Sequence, residues 1–131
     1  MRKLRIPSKR RWLSVGLFDP PYVKMTKYAP VSVQPMLAAV RIYAEDNTPS
    51  HLSVTQRAML VAMAMGGWIS TNAQVGAFDM PKRDLDQCQL LYTNCARLLG
   101  NDVVLIGPIM RGLCDAKLLP EAVREFYSAD I

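Results

Sequence analysis

Residues 52–67 read LSVTQRAMLVAMAMGG, and the fold reading starts from them. Ser53 followed three residues later by Gln56 has the form of a capping box, in which each residue satisfies an orphan backbone donor of a new helix. From Val54 to Met65 only Thr55, Gln56 and Arg57, all in the first turn, are not apolar. Gly66-Gly67 then supplies a stop, since glycine enters the left-handed conformation of a C-cap without steric cost. The pattern predicts a helix over residues 54–65 that is apolar on all sides, and such a helix is buried in a domain or in a bilayer. About twelve residues fall short of the roughly 20 that cross a membrane. The stretch is therefore expected to be the central helix of a globular core.

Working outward, the other elements are of the same kind. Pro35 opens a helix over residues 34–45, with Met36, Leu37, Val40, Tyr43 and Ala44 at helical spacing. A second long helix is expected over residues 81–99, where Leu85, Cys88, Leu91, Tyr92, Cys95, Leu98 and Leu99 form one stripe before Gly100-Asn101. Residues 109–116 and 120–128 complete the helices, the last packing through Ala122, Val123, Phe126 and Tyr127. Alternation at Leu13, Val15 and Leu17, and at Val23 and Met25, predicts short extended segments. The apolar run over residues 103–106, closed by Gly107-Pro108, predicts another. The expectation is a mainly α, compact single helical domain with a short β component. Its buried set should include Val54, Met59, Leu60, Met63, Leu91, Cys95 and Leu98.

The 131 residues are 50% hydrophobic and 21% charged, within the range of ordinary globular chains. Charge is unevenly placed. Residues 1–30 hold eight cations against Asp19 alone, a balance of +7, while residues 31–131 hold eight cations and ten acids, a balance of −2. This divides the chain into a basic N-terminal arm with short extended segments, residues 1–30, and a helical body, residues 31–131. Such an arm suits a partner of dense negative charge, nucleic acid first, then an anionic lipid surface or an acidic protein. Arg2, Lys3, Arg5, Lys9, Arg10 and Arg11 are the candidate phosphate contacts, with Trp12 placed to stack on a base. A mitochondrial presequence would share the acid-poor composition, but Pro7 interrupts the helix it needs.

Cys88, Cys95 and Cys114 are an odd set, and seven helical residues separate the first two by about 10.5 Å, too far for a disulfide. They fit a reduced, cytoplasmic setting. His51 is the single histidine, and without C-x-x-C spacing no metal site or cofactor is expected. No phosphate loop, G-x-S-x-G or H-E-x-x-H is present, so the chain does not read as an enzyme. Asp84 and Asp86 point different ways on their helix and complement its dipole.

One ordering is more suggestive. A core helix, a glycine turn, a short helix over residues 72–77 capped by Ser70 or Thr71, a turn, a longer helix from Pro81 and an extended run follow in sequence. This resembles a winged helix-turn-helix, which implies that the helix from Pro81 reads duplex DNA through Lys82 and Arg83 in its first turn. The functional expectation is thus a non-enzymatic nucleic-acid-binding protein, for DNA or RNA, with a regulator as one form. The alternative is a small viral or phage-type structural, packaging or assembly protein. There the arm would hold the genome in the virion and the body would form a homo-oligomer.

Overall fold

A computed structural model describes residues 21–127, and all five α-helices of that span pack around one of their number. In chain order they are α1 (Pro21–Tyr28), α2 (Gln34–Asp46), α3 (Val54–Gln74), α4 (Lys82–Leu99) and α5 (Ile106–Asp115). Short 3-10 helices at Val31–Val33, Gly100–Leu105 and Glu121–Tyr127 complete the path. Among the described residues there is no strand. The predicted segment around Leu13, Val15 and Leu17 lies outside them, as do residues 128–131.

The capping box forms as the sequence predicts. Ser53 Oγ accepts from the Gln56 backbone N–H at 3.1 Å, and the Ser53 N–H donates to Gln56 Oε1 at 3.0 Å. The Gln56 side chain also donates to Asp102 at 3.0 Å, pinning the start of α3 to the turn after α4. Beside it, Arg57 Nε donates to the buried Thr48 hydroxyl, which in turn donates to the Glu45 carbonyl at the end of α2. Three elements are thereby fixed at one corner.

α3 does not stop at Gly66-Gly67. It runs nine residues further than the expected helix end at residue 65, with both glycines in ordinary helical conformation. Their role is proximity. A β-carbon at Gly66 would lie 2.6 Å from Met25 Cε, and one at Gly67 would lie 2.7 Å from Met110 Cε. Two fully buried methionines, from α1 and α5, occupy the space that side chains there would need. The stop comes at Gly76, with φ of +81°, where the Ala77 N–H reaches the Asn72 carbonyl and the Gly76 N–H the Ala73 carbonyl. No separate helix over residues 72–77 exists, so the helix-turn-helix order is not formed there. With no strand among the described residues, no wing follows it either.

α3 is buried almost without break from Ala58 to Gly66, then again at Trp68 and Ile69. α1, α2, α4 and α5 all pack on it. Trp68 Nε1 donates to the Leu118 carbonyl at 2.8 Å, joining α3 to the turn after α5, and its ring tilts against Phe78 at 5.9 Å. That turn is a Schellman motif with Lys117, at φ +65°, where glycine is usual.

Met59, Leu60, Met63, Leu91 and Cys95 are buried as expected, whereas Val54 is half-buried and Leu98 is 40% exposed. Leu98 falls one position outside the inner stripe, which closes on Cys95 and Leu99. Residues 22–28 are helical, because Pro21, Met25 and Ala29 recur every four residues and all are buried. Residues 103–106 wind into a 3-10 turn and the start of α5, where Ile106, Ile109, Met110 and Leu113 face inward together. Near the chain's end, Val123 alone of the four expected packing residues is buried, and Phe126 is 78% exposed.

Candidate functional site

The arm residues Arg2, Lys3, Arg5, Lys9, Arg10, Arg11 and Trp12 lie outside the described residues. Lys82 and Arg83 do fall in the first turn of α4, both exposed. Lys82 Nζ pairs with Asp86 Oδ2 at 2.9 Å one turn on, so this cation is answered within its own helix. A surface pair of this kind contributes little to stability. Arg83 makes no ion pair among the described residues. It begins a line of outward positions, Arg83, Leu90 and Arg97, spaced every seven residues along α4. Asp84 faces the other way, toward Cys88.

The cysteines serve packing. Burial pushes the Cys88 thiol up to about 12, with the Asp84 carboxylate adding to the effect, and burial alone pushes Cys95 up to about 12. A thiol so protonated is neither a nucleophile nor a ready ligand. Among the described residues, no three His, Cys, Asp or Glu side chains come close enough to hold a metal ion.

A concavity lies elsewhere, between the second half of α3 and the middle of α4, closed at one side by the turn at Tyr127. It is a cleft of about 300 Å³ lined by Gly66 and Gly67 and by the side chains of Ser70, Thr71, Gln89, Tyr92, Thr93 and Tyr127. Helical geometry explains the grouping. Ser70 and Thr71 stand one turn beyond Gly66 and Gly67 on α3, while Gln89, Tyr92 and Thr93 stand at i, i+3 and i+4 on α4. Gln89 Nε2 donates to Ser70 Oγ across the cleft at 3.4 Å, and the Tyr92 and Tyr127 hydroxyls also meet at 3.4 Å. Burial, then the hydrogen bond to Tyr127, raises the Tyr92 phenol above its ordinary value of 10.0, so it stays neutral and able to donate. Arg111 donates to the Tyr127 carbonyl and holds this residue in place.

Sequence reasoning missed this cleft because it ended α3 at Gly66-Gly67 and assigned Ser70 and Thr71 to helix capping. Continuing the helix through the glycines would have set both hydroxyls on the face that meets α4. No family model, curated protein or solved structure matches the chain. Among the described residues no helix is long and apolar enough to cross a membrane.

Proposed function

We propose that this chain is a non-enzymatic nucleic-acid-binding protein whose N-terminal arm supplies the affinity through phosphate contacts. One observation carries the reading: residues 1–20, which precede α1, hold six cations against Asp19 alone, a balance of +5, while residues 21–131 hold ten of each sign. Cations that neutralise backbone phosphates release condensed counterions, and that release drives binding of any sequence. Sequence readout by α4 has less support, because Lys82 is paired with Asp86 and the helix-turn-helix order is absent. The reading therefore favours polymer binding without base discrimination, on DNA or RNA.

A packaging or assembly component is the form of this function that the body favours. Val31, Ile42, Val75, Leu90, Val104 and Phe126 are each more than half exposed, and self-association would need several of them to share one face. The test is binding to DNA, RNA and a scrambled competitor across a salt series. Removing residues 1–11 deletes six cations and should lower the slope of log K against log salt by about 4–5. Arg83→Ala should have the same small effect on every sequence. A truncated protein that binds both polymers as tightly as the full chain would overturn the proposal.

A further inference from the structure

The α3–α4 cleft has a chemistry that the arm does not use. Its side chains are hydroxyls and one amide: Ser70, Thr71, Thr93, Tyr92, Tyr127 and Gln89. No charged side chain lines it among the described residues. Every one of these groups both donates and accepts hydrogen bonds. A wall of this kind complements a molecule that also does both. It disfavours an ion, which would lose hydration there without meeting an opposite charge.

The wall's own hydrogen-bonding capacity is largely unspent. The Gln89–Ser70 and Tyr92–Tyr127 contacts, at 3.4 Å each, are longer than the roughly 2.7–3.2 Å of well-formed bonds. The Thr71 and Thr93 hydroxyls make no hydrogen bond among the described residues. Gln89 and Thr93 are exposed at the rim, Ser70, Thr71 and Tyr92 are half-buried within, and the volume of about 300 Å³ is at the small end of ligand sites.

The geometry points to a binding site for a small uncharged compound bearing several ring hydroxyls, of monosaccharide or nucleoside size. Adjacent hydroxyls on such a ring bridge the gaps that the long Gln89–Ser70 and Tyr92–Tyr127 contacts leave. A free sugar and the ribose of a nucleoside share this chemistry. The site does not depend on polymer binding by the arm, so either can fail alone.

The test is a titration of the isotope-labelled full chain, followed by amide NMR, with D-glucose, D-galactose, adenosine and uridine in separate arms. Saturable shifts at residues 66–71 and 89–93, with a dissociation constant of about 1 mM or below, are expected in at least one arm. Response to hexoses alone, nucleosides alone, or both identifies the source of the hydroxyls. Thr93→Val, an exposed and near-isosteric change, should weaken the bound compound at least about tenfold without moving the melting temperature. Tyr92→Phe should weaken binding to a similar degree. When a hexose binds, glucose 6-phosphate should bind more weakly than glucose. Absence of saturable shifts in all four arms, shifts confined to another surface, unaltered binding by Thr93→Val, or a preference for the phosphorylated sugar would overturn the assignment.

Discussion

α3 and α4 lie against each other and are of similar length, yet they are built on opposite plans. α4 shows one buried stripe, Cys88, Leu91, Cys95 and Leu99, and an outer face of Arg83, Gln87, Leu90 and Arg97 in water. α3 has no outer face over its middle turns, because four other helices cover it. A stripe states which way a helix faces, and its absence states that a helix is central. The same substitution should therefore carry different costs on the two helices.

The largest cost is expected at Leu60, fully buried in α3. Leu60→Ala removes a side chain and leaves a cavity, for a loss of about 2–5 kcal/mol in a denaturant titration. A loss as small as a surface change would place the core elsewhere and remove the contrast. Next comes Gly66→Leu, which drives a side chain into the space of Met25 and should cost about 1–3 kcal/mol through overpacking. If this variant gained stability from helix propensity instead, Gly66 would not be a close-packing position. Ser53→Ala removes the capping acceptor and should cost about 1 kcal/mol, with an unchanged denaturant slope. The smallest effect is expected on α4, where Leu90 is 52% exposed and Leu90→Ala should stay within about 0.5 kcal/mol. A larger change at Leu90 that depended on protein concentration would reveal a covered face and favour the assembly form of the proposal.

Much of the architecture was legible in the sequence where one signal had no competitor. The stripe of α4 and the Pro35 start of α2 placed both helices within a residue or so of their observed ends. Trouble came where one residue type serves two physical purposes. Gly66-Gly67 can end a helix or let neighbours approach it, and only the buried methionines opposite decide between them. Over residues 21–29, Val23 and Met25 fit a period of two while Pro21, Met25 and Ala29 fit a period near four, so the helix is chosen by what α3 offers to cover. The run over residues 103–106 is apolar and β-branched at all but Leu105, but no partner strand is present among the described residues, and Ile106 joins the inner face of α5 instead.

The candidate sites divide along a different line. Charge clustering in residues 1–30 is a property of composition and needs no structure to be seen. The cleft is a property of register: Ser70 and Thr71 meet Gln89 and Thr93 only because α3 continues past its glycines. Hydroxyls spaced along two helices carry no signal until the faces are known. Lys82 illustrates a third case, since the i to i+4 spacing with Asp86 was present in the sequence and the pairing it permits is the one that forms.

The central position of α3 also sets a schedule for the growing chain. Met110 and the carbonyl of Leu118 that receives the Trp68 indole are added 43 and 50 residues after Gly67 and Trp68, the α3 residues they meet. At a synthesis rate of about 5–20 residues per second, α3 emerges about 2–10 s before α5 can shield it. During that interval its apolar surface is open to chaperones and to other nascent chains. A chain ending at residue 105 should consequently pellet or stay chaperone-bound, whereas one ending at residue 127 should not.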